Sequence, residues 1–403
     1  MDCSVGGGID DQMDARDPVL DVSIVEDEIG FQGLAPEWDA LIAEAGHPGC
    51  MGFAWAWAGW EHSQRGAGGA LCIIVIRRAG RLVGLWPLVR FRRRLHRELR
   101  PLGWNEWDDM DLLVLPGPER MRVGLWLWET AQRCGDVLFI PFTRPSSLLT
   151  QVLNQRAVAS TRDVFTTHIA DVSAHRDFDR YLDTIICSRR RIARSRRQLA
   201  ELGSVAIRVE TETADKLRCL RWTLEQKMAW LQGKGLKDGS LGRADFTAFL
   251  ESLLTVDTAA SPLRILSLYS NENLIATNII TLGSKDIFFN ITTYDPIYSR
   301  FSPGSILHFY LLEWAHSLEC NIDFRAGTVG YKLELCDVTA ALNRHLVALR
   351  WAGLPWVARE WVRLTYLRVR GRYRRALGWI VSRWVKPWAM LMRSWLREAV
   401  RAR

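Results

Sequence analysis

Apolar and β-branched residues crowd residues 71–91, LCIIVIRRAGRLVGLWPLVRF, on both sides of a polar break at Arg78-Ala79-Gly80-Arg81. The pattern predicts two strands joined by a tight turn. It returns in residues 263–282, LRILSLYSNENLIATNIITL, which breaks at Asn271-Glu272-Asn273, with NLIA taking the place that RLVG holds in the first run. Each hairpin is followed by a loop, a helical apolar run and a strand, in GLWLWETAQRCGDVLFIP (124–141) and SILHFYLLEWAHSLECNIDF (305–324). This spacing predicts a mixed-sheet α/β unit present twice in tandem. Between the halves, LDTIICSRRRIARSRRQLAELG (182–203) predicts a helix stopped by Gly203, with Arg190, Arg194 and Arg197 at helical spacing. Near the C-terminus, Ile380, Trp384, Trp388, Leu391 and Trp395 fall on one side of a helix and Arg383, Lys386, Arg393 and Arg397 on the other, with an interruption at Pro387.

A chain of 403 residues, 48% hydrophobic and 24% charged, has room for two cores. The expected divisions are a disordered segment at 1–20, a first domain at 21–160, a second at 161–343 and a basic helical tail at 344–403. The eight cysteines stand singly, with no C-x-x-C pair, which points to a reducing compartment rather than a disulfide framework or a zinc ribbon. The opening MDCSVGGGIDDQMDARDP lacks the apolar stretch of a secretory signal, and no apolar run of about 18 residues follows, so the expected location is the cytoplasm. The net charge of +8 belongs to the tail: residues 344–403 hold fifteen Lys/Arg against two Asp/Glu, which leaves the rest of the chain net acidic.

The strand DIFFNITT (286–293) leads through a loop into an almost wholly apolar helix that begins at Ser302-Pro303-Gly304-Ser305. The first peptide N–H groups of a helix have no intrahelical acceptor and, with the macrodipole, suit an anion. Proline has no N–H to lose there, Gly304 has no Cβ to block approach, and the two serines offer hydroxyls. Such a start accommodates a pyrophosphate, and serves equally as a plain N-cap. The arginine face at 190–197 is either a solvated surface or a contact for anionic groups of a substrate. His308 and His316 lack the spacing of a metal pair and read as one core and one surface histidine, so no metal is expected. There is no G-x-S-x-G or Walker sequence, hence no support for a hydrolase or a nucleotide triphosphatase.

The run TYDPIYSRFSPGSILHFYLLEWAHSLECNIDFRAGTVGYK (293–332), with SPG before the helix and Asp323, Phe324, Gly327, Tyr331 and Lys332 forming DF-x-x-G-x-x-x-YK, resembles the CelD/BcsL-type acetyltransferase family of the GNAT superfamily, found with bacterial cellulose and exopolysaccharide biosynthesis. PEWDALIAEAGHPGCMGFAWAWAGWEHS, GRLVGLWPLVR and LRPLGWNEWDDMDLLV resemble its first domain, so the resemblance spans most of residues 22–340. A similar YK ending occurs in the Fem-type aminoacyl transferases. The resemblance implies tandem GNAT-like domains, the first a degenerate copy, and acyl transfer from acetyl-CoA or another acyl-CoA to an amine or hydroxyl acceptor linked to the envelope or to a saccharide. It further implies that Arg300, Ser302, Gly304 and Ser305 hold the donor's phosphates and that the splayed strand at 288–294 supplies a backbone N–H. Tyr294 and Asp295 then become candidates for proton handling, although Tyr-Asp-Pro is also ordinary turn chemistry. Asp323 and Lys332 either face the acceptor or form a buried ion pair, while Arg190, Arg194 and Tyr331 are candidates for substrate contact. One departure stands out: the usual pyrophosphate loop reads R/Q-x-x-G-x-G/A, and here Pro303 replaces its first glycine. Two alternatives keep the fold: a Fem-like enzyme that takes aminoacyl-tRNA, and an inactive scaffold for a polysaccharide synthase complex. For the tail, a cationic helix with tryptophans on its apolar side implies peripheral attachment to an anionic inner membrane; terminal packing and nucleic-acid binding are the other readings.

Overall fold

The computed structural model describes residues 20–47, 49–103, 109–185, 189–236, 239–256, 261–327 and 330–380. Segment 1–19 and the Trp/Arg stripe from 381 to 395 therefore lie outside the described residues. The first half contributes strands β1 (Leu20–Val25), β2 (Gly69–Arg78), β3 (Arg81–Arg92), β4 (Arg97–Pro101), β5 (Leu113–Val114), β6 (Val137–Thr143) and β7 (Ala159–Ala170). The second contributes β8 (Val205–Val209), β9 (Leu263–Ser270), β10 (Asn273–Leu282), β11 (Asp286–Tyr294), β12 (Asn321–Ala326) and β13 (Val338–Ala348).

Both predicted hairpins form. Their two-residue turns place Ala79 and Gly80, and Asn271 and Glu272, at positive φ, the conformation that matches the twist of the flanking strands. All thirteen strands join one sheet, in the order β1-β2-β3-β4-β6-β13-β7-β12-β11-β10-β9-β8, with β5 on the side of β3. The order is pseudo-symmetric about its centre: β1 to β4 mirror β8 to β11, β6 mirrors β12, and in each half a parallel pair, β4 with β6 and β11 with β12, follows the antiparallel strands. The last strand of each half is exchanged. β13 pairs with β6 of the first half, and β7 pairs with β12 of the second. Strand β13 crosses residue 343, where the sequence suggests that a helical tail begins; the helix itself runs from Leu354 to Ile380.

Three apolar layers cover the sheet. One face of the first half packs Trp86, Leu127 and Trp128, and one face of the second packs Leu307, Leu311 and Leu312. The third layer is common to both halves and brings Trp55 edge-on to Phe249, with ring centres 5.0 Å apart. No helix among the described residues is long and apolar enough to cross a membrane. The six cysteines among them are free thiols.

A buried polar cluster joins the halves at the exchanged strands. Asp323 on β12, fully buried, accepts from the Arg144 guanidinium at 2.5 Å, from the Thr167 hydroxyl and from the Arg325 amide at 2.7 Å. Asp109 takes the other sides of Arg144, at 3.1 Å, and of Arg325, at 3.0 Å. Removing one member leaves a charge in a place where water cannot replace it. Arg144→Met is expected to lower stability by about 3 kcal/mol in urea denaturation, whereas the same change at exposed Arg208, paired with Glu272, is expected to leave the urea midpoint close to the parent's.

Candidate functional site

Strands β11 and β12 stay in register only over Asp286–Phe288 opposite Asn321–Asp323. Beyond that point β11 keeps only β10 as neighbour and bulges at Asn290, which is skipped between the pairs Ile280 with Phe289 and Ile279 with Ile291. A bulge turns backbone groups away from the ladder. The strands thus part into a wedge, over which the helix Pro303–Ser317 packs.

The helix mouth is built by the chain that precedes it. Asp295 accepts from the Ile297 amide at 2.9 Å and caps a short 3-10 turn, Pro296–Phe301. Ser302 then takes a left-handed conformation, φ 50°, and reverses the chain into the helix without a side-chain cap. Its carbonyl accepts from the Ser305 amide at 2.9 Å and the Ile306 amide at 3.2 Å. Pro303 has no N–H, so the Gly304 amide is the first-turn donor that finds no acceptor among the described residues. A Cβ on Gly304 would meet only the Tyr294 ring, at 3.6 Å. Tyr294 is 40% exposed, and the Arg300 guanidinium lies 4.6 Å from the centre of the Phe301 ring.

Behind the mouth, Phe289 of β11, His308 of the helix, Phe324 of β12 and Tyr331 form one cluster of rings. His308 stacks on Tyr331 with centres 4.8 Å apart and places Nε2 3.4 Å from the Thr292 hydroxyl, while its buried Nδ1 has no hydrogen-bond partner among the described residues. Burial pushes the imidazole down to about 4, leaving it neutral at physiological pH, and raises the Tyr331 phenol to about 12. Lys332 is buried and its pKa is lowered by desolvation. Its ammonium donates to the Arg325 and Ala326 carbonyls at 3.2 and 3.3 Å, and the ion-pair partner of Asp323 is Arg144. Tyr294, Arg300 and Ser302 to Ser305 therefore gather at the mouth and Tyr331 in the wedge. Asp295 is engaged in its turn, and Asp323 and Lys332 brace β12.

The predicted basic helix spans Arg189–Ala200. Arg189 is bound by Asp179 and Asp183, and Arg191 by Glu334. Arg190 and Arg194 stand exposed on its outer side. Arg196 and Arg197 line a groove of about 350 Å³ between this helix and the helix Pro303–Ser317, floored by Ile192, Ile306 and Phe309. The groove thus reaches the first turn beyond the mouth.

Sequence reasoning read a core histidine in the helix Pro303–Ser317, which the burial of His308 bears out, and passed over two other residues. His308 reads as plain core because its helix is apolar all round. Arg144 lies 179 positions from the carboxylate it holds. Lys227, in the helix Thr213–Gly233, donates to the Thr292 carbonyl at 3.1 Å in the parted stretch of β11, and nothing in its surroundings in sequence marks it.

In the first half the equivalent positions are filled. Helix Arg120–Cys134 opens at Glu119, whose carboxylate is held by Arg78 and Arg122. Strands β4 and β6 pair only at Glu98–Val137 and Leu99–Leu138, and the gap beyond them receives the chain itself, with the Met110 amide donating to the Phe142 carbonyl at 2.8 Å.

Residues 188–333 match the family model described as an acetyltransferase (GNAT) domain. Among solved structures, the chain is similar to FemX, with 9% identity over 77% of this chain and 95% of that one and a TM-score of 0.53. It is also similar to the C-terminal domain (DUF2156) of a proposed lysylphosphatidylglycerol synthetase from Agrobacterium fabrum, with 9% identity over 81% and 95% of the two chains and a TM-score of 0.50. A tandem GNAT protein from the clavulanic acid biosynthesis pathway matches at 13% identity and a TM-score of 0.43, over 82% of this chain and 99% of that one. No curated protein sequence matches. Residues 188–333 therefore carry a GNAT domain in a mixed α/β fold, as expected, and the match stops short of the CelD/BcsL branch.

The unfolded chain protonates His308 near pH 6.5 and the native chain near 4. The unfolded state thus binds more protons between these values, so stability is complete above about pH 6.5 and falls as the pH drops toward 4. His308→Phe is expected to remove roughly 2 kcal/mol of this acid-induced loss, measured as the difference between urea midpoints at pH 7 and pH 4.5 in the two proteins.

Proposed function

We propose that the protein is an acyltransferase that takes its acyl group from acetyl-CoA or another acyl-CoA and delivers it to an amine or hydroxyl acceptor of the cell envelope or of an exopolysaccharide, of the cellulose type. The observation that carries this reading is a pair of parallel strands parting beneath a helix whose first turn leaves the Gly304 amide bare. The carrier's phosphates meet that amide, the Ser302 and Ser305 hydroxyls and Arg300, and the thioester enters the wedge. There, amides of β11 released beyond Phe288 stabilise the carbonyl oxygen as charge builds on it. The acceptor attacks the carbonyl carbon, the carbon–sulfur bond breaks, the acceptor's proton passes to a base or water, and the thiolate recovers a proton. In this reading Tyr294, exposed beside the mouth, relays the proton. Asp295 orders the turn that presents Tyr294. The envelope or saccharide acceptor, and a place beside a polysaccharide synthase, rest on the resemblance of residues 293–332 to the CelD/BcsL-type enzymes.

A second reading uses aminoacyl-tRNA as donor, in the manner of the Fem-type transferases. It is favoured by the exposed Arg190 and Arg194 and by the meagre amide set that Pro303 leaves, which suits a donor held mainly through its backbone phosphates. Thermal shift with acetyl-CoA, longer acyl-CoAs and charged tRNA separates the two, and stabilisation by none of them would favour the scaffold reading. For the first reading, Gly304→Ala fits against Tyr294 and is expected to keep affinity for acetyl-CoA within about threefold, whereas Gly304→Asp sets a carboxylate among the phosphates and is expected to weaken binding by more than about tenfold. Calorimetry reads both, and equal affinity in the Asp variant and the parent would remove this donor site.

A further inference from the structure

The helix Leu354–Ile380 is attached to the sheet along one line and bare along another. Val357 and Leu364, seven residues apart, are buried at 5% and 9% exposure, and the helix packs on β7 and β13. Ala358, Val362, Tyr366 and Val369, spaced four, four and three, fall together on a different side. Val362, Tyr366 and Val369 are 60%, 61% and 46% exposed, and Trp361 beside them is 59% exposed. Trp351, in the short turn before the helix, is 77% exposed. Along one border of this strip run Arg359, Arg363 and Arg370. Arg363 is held by Glu360, while Arg359 and Arg370 have no acidic partner among the described residues.

We propose that this strip, from Trp351 to Arg370, is a docking surface for an anionic lipid bilayer, with the aromatic and aliphatic side chains entering the headgroup boundary and the arginines bound to lipid phosphates. An interfacial helix has this composition: an apolar arc with tryptophan and tyrosine, bordered by cations whose stems lie along the apolar surface. Charge decides between occupants. A second copy packed antiparallel about a twofold axis sets the same arginine row against itself. The chain beyond residue 380 brings Arg383, Lys386, Arg393, Arg397, Arg401 and Arg403 against one Glu398 and cannot neutralise the row either. A nucleic acid would neutralise it but leaves the apolar arc in water. A bilayer that displays phosphates above hydrocarbon satisfies both sides of the helix at once. The sequence alone directs attention to the stripe at 380–395; the structure finds a second one closer to the catalytic body, on a helix anchored to the sheet.

The test is flotation of the full-length protein with vesicles of phosphatidylcholine alone and of phosphatidylcholine mixed equally with phosphatidylglycerol, together with size-exclusion chromatography without vesicles. The parent is expected to float with the mixed vesicles and to stay down with the neutral ones. Both side chains in V362E/Y366E are exposed, so the double variant is expected to fold, checked by circular dichroism, and to lose at least about tenfold of the bound fraction. R359E/R370E is expected to lose the preference for phosphatidylglycerol. The proposal is overturned if the parent ignores the mixed vesicles, if V362E/Y366E floats as well as the parent, or if the parent is a dimer that V362E/Y366E converts to a monomer.

Discussion

The carboxylate of Asp323 sits at the last position where β11 and β12 are still paired, and the wedge beyond depends on how it is held. A carboxylate with no solvent exposure requires several donors. It draws on both halves: Arg144 and Thr167 from the first, and the Arg325 amide from its own strand. Arg325 has positive φ, 63°, so β12 turns out of register directly after the carboxylate, and its side chain reaches Asp109 on the first half. The parting of the strands is therefore enforced by a polar knot rather than left to weak pairing. Lys332, by taking the Arg325 and Ala326 carbonyls, supplies a donor for the backbone that this turn frees.

Strand exchange explains why the knot draws on both halves. With β13 inserted between β6 and β7, neither half completes its sheet alone, and β7 is carried across to β12. The two wedges then take opposite fates. In the first, the chain at Met110 fills the gap and Glu119, held by Arg78 and Arg122, stands at the helix start. In the second, rings line the interior and the mouth keeps a bare amide.

How much of this was legible in sequence depends on the range of the interaction. The hairpins at 71–91 and 263–282, the repeated helix and strand, and the start of the helix at Pro303 are set by local alternation and turn chemistry and could be read directly. The role of Asp295 was half visible, since Asp-Pro suggests a turn and the Asp295 side chain caps one. The strand exchange was not visible, because β13 looks alike whether it pairs at home or abroad; the helical tail was consequently begun inside it. Nor could spacing reveal that Asp323 answers to Arg144 instead of Lys332. Two charges nine positions apart invite pairing on paper, yet the turn at Arg325 points Lys332 at carbonyls.

The departure at Pro303 has a structural counterpart in Ser302. A left-handed serine costs about 1 kcal/mol relative to glycine, and here it lets the Ser302 carbonyl take the Ser305 amide, which an ordinary helix start leaves free, beside the Ile306 amide that any helix gives its N-cap carbonyl. The backbone thus gives up part of its anion-binding capacity to make a tight corner between the 3-10 turn and the helix. What remains for a phosphate is the Gly304 amide, two hydroxyls and the helix dipole, with Arg300 beside the mouth and Arg196 and Arg197 in the adjoining groove. In the proposed reading, attraction for a polyanionic carrier is therefore shared between that amide and side chains. These side chains lie outside the wedge, whose own histidine is kept neutral by burial.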